Sequence, residues 1–347
     1  MENSALLSNR KADHIRINLA EDVSSSRSNG LENFQFVHCA LPEIDFQRIQ
    51  TAQECFGRQL ALPILISSMT GGTEEAARIN TELAEVAQAC GLAMGVGSQR
   101  VGLRDAKTQD SFRVRKTAPD ILLFANIGAV QLNYGYQVDD CRRVVEMIEA
   151  DALYLHLNPL QEALQPEGDT NFSGLLKKIE AVCQAIHVPV FVKEVGWGIS
   201  GQVAAQLAGA GVSGIDVAGA GGTSWSEVEK HRMTDPIRAK VAGAFRGWGI
   251  STAESLVQVK EAAPDLRLIA SGGLRSGIEI AKCIALGAMA GGLAGPFLKA
   301  IVQSQQTAMR LVEELSLELR VCMFAAGAQD IQSLQKTALI KIDKGLL

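Results

Sequence analysis

Apolar runs of strand length recur along the chain, separated by stretches in which apolar residues fall at helical spacing. The runs are Leu62–Ser67, Leu92–Gly97, Ile121–Asn126, Ala152–Leu157, Val190–Lys193, Gly214–Val217, Leu268–Ser271 and Ala288–Leu293. Each is apolar through most of its length, as strands buried on both faces are. Glu74–Cys90 and Asp139–Glu149 carry amphipathic spacing, and Gly91 stands where a left-handed cap would end the first. Eight strand-helix alternations predict an α/β fold with a parallel sheet, closed as a (β/α)8 TIM barrel.

Three stretches depart from that rhythm. Residues 1–60 read as a poorly periodic N-terminal arm, 61–297 as the barrel core, and 298–347 as two or three extra C-terminal helices packed outside it. No strong linker interrupts the chain, so 1–347 is expected to form a single domain. The interval from Ala218 to Arg267 breaks the rhythm and reads as an extended active-site loop, with a Gly-Trp-Gly-Ile patch before another helix. Gly209 to Gly214 spells G-x-G-x-x-G, but it ends a helical stretch and leads into a strand. A dinucleotide fingerprint does the reverse, so this is a helix-to-strand turn.

Composition agrees with such a barrel. The 347 residues are 47 % hydrophobic and only 5 % aromatic, with 33 glycines, which suits an aliphatic core joined by tight turns. The formal net charge of −5 and the lack of any Lys/Arg block argue against nucleic-acid binding. No apolar run approaches a membrane span and the N-terminus lacks a signal-peptide core, so a cytoplasmic protein without a membrane partner is expected. Seven cysteines without a C-x-x-C pair read as reduced, mostly structural thiols.

Catalytic groups in such barrels stand just after the C-terminal ends of the strands, and here those positions are polar. Ser271-Gly272-Gly273 and Ala294-Gly295-Pro296 follow the seventh and eighth runs, where a phosphate commonly meets backbone N–H groups and a helix N-terminus. The other runs deliver Ser67 to Gly72, Ser98 to Arg100, Asn126, His156 to Glu162, Lys193-Glu194 and Gly221 to Thr223. A flavin mononucleotide needs such a set: donors for one edge of its ring, amide partners for the other, and amides for its phosphate. Lys193 would support the anionic reduced ring; its plainer reading is a rim lysine paired with Glu194 or a neighbour. Ser98 and Asn126 could each merely cap a helix. The stretch His156–Phe172 is the most function-specific, with Pro159 and Pro166 denying it regular helix. Glu162 there is one carboxylate without a ligand cluster, which suits Mg²⁺ held mainly by water and substrate phosphate.

These residues resemble the flavin-dependent type 2 isopentenyl diphosphate isomerases. The likeness runs in order through Arg10-Lys11 with His14, Met69-Thr70-Gly71-Gly72, Gly97-Ser98-Gln99-Arg100 and Asn158-Pro159-Leu160-Gln161-Glu162. It continues through Lys193-Glu194-Val195-Gly196, Gly221-Gly222-Thr223, Gly272-Gly273 and Ala294-Gly295-Pro296. The Asn-Pro-Leu-Gln-Glu run is the specific element. The resemblance implies a homo-oligomer, tetramer or octamer, that interconverts isopentenyl and dimethylallyl diphosphate using reduced FMN and Mg²⁺, with NADPH priming the flavin. It carries Ser68, Met69, Thr70, Ser98, Asn126, Lys193, Thr223, Gly272, Gly273, Ala294 and Gly295 over to FMN. Arg10, Lys11, Ser98, Arg100, His156, Asn158 and Gln161 would meet the substrate, and Glu162 the Mg²⁺. Gln161 and His156 would assist catalysis beside flavin N5, the main acid and base. The alternative is an FMN- or nucleotide-phosphate-binding barrel oxidoreductase. An inosine- or guanosine-monophosphate enzyme needs a cysteine after strand six, and none lies between Cys183 and Cys283. A 2-hydroxy-acid oxidase needs a His/Arg pair near strand seven, where only Arg275 stands. A third reading is a barrel that binds flavin or phosphate without catalysis, against which the polar set at His156–Glu162 speaks.

Overall fold

The eight apolar runs become eight parallel strands that close on themselves: β1 Ile64–Ile66, β2 Ala93–Gly95, β3 Leu123–Gly128, β4 Ala152–His156, β5 Val190–Lys193, β6 Gly214–Asp216, β7 Arg267–Ser271 and β8 Ala288–Leu293. Each pairs with the next, and β8 returns to β1 with Gly291 opposite Ile64 and Leu293 opposite Ile66. This computed structural model describes residues 4–342, with side chains from Arg10 onward; residues 1–3 and 343–347 lie outside it.

The N-terminal half of the barrel interior is packed solid. Phe124 of β3 stacks on Tyr154 of β4 at 4.5 Å between ring centroids, and Phe191 of β5 stands edge-on to both. Leu65, Ala93 and Ile269 fill the remainder, and the hairpin Gln53–Cys55/Arg58–Leu60 adds Cys55 and Leu60 to the same cluster. With that end plugged, a cavity forms at the C-terminal ends of the strands.

Helices surround the barrel where the spacing placed them. The helix Glu74–Cys90 starts at Thr73, whose hydroxyl accepts from the Ala76 N–H, and stops at Gly91 with φ of 62°. Its apolar stripe, Ile79, Leu83 and Val86, is buried. The G-x-G-x-x-G segment joins the helix Gly201–Gly209 to β6, as its order requires.

Four local expectations change. The arm contains a helix, Ser4–Ala20, whose described residues include buried Ile15 and Ile17. The interval after β6 ends in the expected helix, Thr252–Ala262, but what precedes it is not one loop and carries the helices Trp225–Arg232 and Pro236–Ala244. Pro159 does not break the strand-four exit; it opens the short helix Pro159–Leu164, since proline's missing N–H has no partner to lose at a first helical position. The helix Gly295–Gln303 crosses residue 298, and beyond the helices Gln305–Ala325 and Ile331–Leu334 a strand, Leu339–Lys341, pairs with Phe34–Phe36 of the arm.

Candidate active site

A cavity of about 810 Å³ occupies the C-terminal mouth of the barrel. Every residue singled out above for FMN, substrate, metal or catalysis lines it, from Arg10 and Lys11 on the N-terminal helix to Ala294 and Gly295 after β8. Strands end at this face, so residues far apart in sequence converge here.

One end is suited to an anion. The helix Gly295–Gln303 has Pro296 in its first turn and no side-chain cap bond, so its first N–H groups are not taken by a capping side chain. A Cβ at Gly295 would meet nothing within 4 Å. Gly272 and Gly273 serve differently, because a Cβ there would lie 2.1 Å from the Gly219 oxygen and 2.4 Å from the Gly221 carbonyl. Their φ of 108° and 82° and these contacts let the loops after β6 and β7 pack backbone to backbone.

The floor carries hydroxyls without partners. Among the described residues, Ser68 Oγ and Thr70 Oγ1 are buried and make no hydrogen bond within the protein. Buried polar atoms need partners, and a flavin ring edge offers acceptors to hydroxyl donors. The residues therefore fit FMN: orphaned donors, a lysine at the β5 end, and an open helix N-terminus for the phosphate. Asn126 and Ser98 are not caps. Asn126 lies within β3, and Gln99 precedes the helix Arg100–Arg104. Lys193 Nζ donates to the Glu194 backbone oxygen at 2.8 Å, and the carboxylate nearest it is Asp216, at 3.8 Å, not Glu194. The Glu194 carboxylate instead accepts from the N–H groups of Val195, Gly196 and Trp197, while burial raises it to about 7.

His156 is fixed in one tautomer. Asn126 Nδ2 donates to the Val96 oxygen, so its Oδ1 accepts and the proton at the 2.8 Å contact sits on His156 Nδ1. Burial, and then the charges of Lys193, Arg100, Lys11 and Arg10, lower the imidazole to about 3. At neutral pH it is uncharged, with Nε2 an acceptor.

The opposite end is a chain of bonds between cations. Arg10 donates to Gln165 Oε1; Gln165 and Gln161 donate to Glu229 Oε1 at 2.6 and 2.9 Å; Asn158 donates to Gln161 Oε1 and to Glu162 Oε1. Glu162 Oε2 accepts from the Asp169 N–H, and the Asp169 carboxylate accepts from Arg100 at 2.9 Å. Lys11 Nζ donates to the Ser98 oxygen at 2.8 Å. Burial raises Glu162, and its two donors oppose that rise. Among the described residues no group of three His, Cys, Asp or Glu could hold a metal alone, so Glu162 suits an ion completed by water and phosphate oxygens.

Glu229, Gln165, Gln131 and Asp216 were not identified from the sequence, whereas Asp169 belongs to the polar stretch His156–Phe172 singled out there. Glu229 lies in the stretch read as a loop and is 1 % exposed. Burial alone would raise its carboxyl, yet the His14 bond, the His14 and Arg232 charges and the Gln161 bond hold it at about 2.

The chain is 52 % identical over 339 residues to the isopentenyl-diphosphate delta-isomerase of Nostoc sp., covering 97 % of each protein. It is 50 % identical to that of Rickettsia bellii, over 95 % of this chain and 96 % of that one, and 47 % identical to that of Oceanobacillus iheyensis, over 97 % of each. Residues 144–341 match the family described as FMN-dependent dehydrogenase. Solved structures of similar fold include a mandelate oxidase mutant with a monooxide FMN adduct, at TM-score 0.65 and 19 % identity over 95 % of this chain and 92 % of that one. Mandelate oxidase with (S)-2-phenylpropionate gives the same TM-score and identity over 98 % of each chain. At that identity the likeness is one of fold.

Proposed function

The chain belongs to the isopentenyl-diphosphate delta-isomerase family, and from that premise we propose how its cavity moves a carbon–carbon double bond between isopentenyl and dimethylallyl diphosphate. The reading rests on one observation: a single cavity joins an end lined by Ser68, Thr70, Lys193 and the start of the helix Gly295–Gln303 to a cation-rich end lined by Arg10, Lys11, Arg100 and Glu162. The reaction adds a proton at one carbon and removes one from another through a cation-like state that water would destroy. FMN, when bound and reduced by NADPH, supplies an acid and base at ring N5.

The chain's own residues do the remainder. Arg10, Lys11 and Arg100 hold the diphosphate, Asn158 and Gln161 meet the substrate beside it, and Glu162 would hold Mg²⁺, which would supply further positive charge to the diphosphate. Glu229 orients Gln161 by accepting from its Nε2, and Asn126 keeps the His156 Nε2 lone pair available for a hydrogen bond. Ser68, Met69, Thr70, Ser98, Asn126, Lys193, Thr223, Gly272, Gly273, Ala294 and Gly295 hold FMN. The helix Ser4–Ala20 screens the alkene from water with the residues it sends into the mouth. We place all of this in one FMN-binding barrel domain of a cytoplasmic homo-oligomer, a tetramer or octamer.

The test is isomerisation in D₂O. Protein reduced in the presence of Mg²⁺ should return dimethylallyl diphosphate carrying deuterium, read by NMR. Product without deuterium would overturn the proton-transfer reading. Oxygen-dependent turnover of a 2-hydroxy acid would instead favour the oxidase alternative.

A further inference from the structure

Behind Lys193, away from the cavity, lies a carboxylate that no step above uses. Asp216 ends β6 directly opposite Lys193 in the β5–β6 register and is fully buried. Its Oδ1 accepts from Ser271 Oγ at 2.6 Å and from the Ala218 N–H at 3.3 Å. Among the described residues its Oδ2 has no donor at hydrogen-bond distance, and it lies 3.8 Å from Lys193 Nζ. Burying a carboxylate is costly unless it is paired, and the positive charge within reach of that oxygen is this lysine. Ala218, which supplies the second N–H, has φ of 37°, a strained value for a residue with a Cβ. Tyr154 Oη is buried beside Asp216: among the described residues it has no partner at hydrogen-bond distance, yet it lies close enough that the charge and the acceptor oxygen of Asp216, after burial, raise it.

We propose that Asp216 is a positioning residue for the cofactor: its second oxygen is the counter-ion that holds the Lys193 side chain at the cavity wall, so that the site favours reduced over oxidised flavin. This rests on the FMN reading above. Asp216 does not line the cavity and acts through Lys193.

The experiment measures the flavin midpoint potential of the holoenzyme at fixed pH. In Asp216→Asn the amide oxygen can still accept from Ser271, which turns an NH₂ donor towards the ammonium. Reduced flavin should then be held about tenfold less favourably relative to oxidised flavin, a fall of about 30 mV for a two-electron couple. In a Lys193→Met background the same substitution should move the potential by much less. An equal fall with and without Lys193 would overturn the proposal, and so would no fall in either background. If Asp216→Asn does not fold, Ser271→Ala, which frees Oδ1, should give a smaller fall that again requires Lys193; no fall there overturns the proposal as well. Wild-type protein that binds no FMN would defeat the cofactor reading itself, a different result from a bound flavin with an unmoved potential.

Discussion

Replacing Glu229 by glutamine keeps the shape of the side chain and removes its charge. Oε1 accepts from His14 at 3.1 Å, Gln161 at 2.9 Å and Gln165 at 2.6 Å, and Oε2 accepts from Arg232 at 2.6 Å. An amide has one acceptor, so either orientation sets an NH₂ against donors. The native carboxyl sits at about 2 against an ordinary 4.5, which corresponds to roughly 3 kcal/mol. Its folded value is the lower one, so this stability is present above pH 4.5 and is lost as pH falls from 4.5 towards 2. At neutral pH, E229Q should melt roughly 6 °C below wild type, at about 2 °C per kcal/mol for a chain of this size. The gap should narrow below pH 4.5. Gln161 loses its fixed amide, so turnover should fall on the order of 100-fold while FMN content holds. Differential scanning calorimetry across pH and steady-state kinetics would check both halves. A gap that stays constant down to pH 3.5, or wild-type turnover, would refute the assignment.

The two kinds of glycine should separate. Gly295→Ala places its Cβ in open cavity space and should weaken flavin binding at least tenfold by equilibrium dialysis, with the melting temperature of flavin-free protein unchanged. Gly272→Ala collides with the Gly219 oxygen at 2.1 Å with φ at 108° and should cost about 2–4 kcal/mol of folding stability by urea titration. Burial, then Arg10 and Arg100, lowers Lys11 to about 7, so at pH 8 it is mostly neutral, and a bound diphosphate would raise it. Calorimetry with inorganic pyrophosphate in buffers of different ionisation enthalpy should show proton uptake; release or no buffer dependence would contradict this. Glu162→Gln should abolish Mg²⁺-dependent turnover and leave FMN bound, and loss of the flavin would place Glu162 in the wrong part of the cavity.

The barrel was legible because burial on both faces leaves an uninterrupted apolar run, and β5 and β8 fall on the expected residues. The strand-end residues were legible for a related reason: polar groups that close an apolar strand have few structural uses. The opposite polarity hid the remainder. The helix Ser4–Ala20 turns Arg10, Lys11, His14 and Asn18 towards the cavity, so the stripe that marks a packed helix is diluted by the polar residues that line it. The helix Trp225–Arg232 buries Glu227 and Glu229, while Pro236–Ala244 leaves Ile237 and Val241 exposed, the reverse of the pattern that announces a helix against a core. Asp216 falls inside the run Gly214–Val217 with nothing nearby in sequence to mark it, and its meaning appears only when β5 places Lys193 opposite it. In each case the missing signal was a partner distant in sequence: Glu229 finds His14 across 215 residues and Gln161 across 68. Spacing rules read neighbours, so a charged stretch without a stripe becomes informative only once the fold supplies the opposite charge.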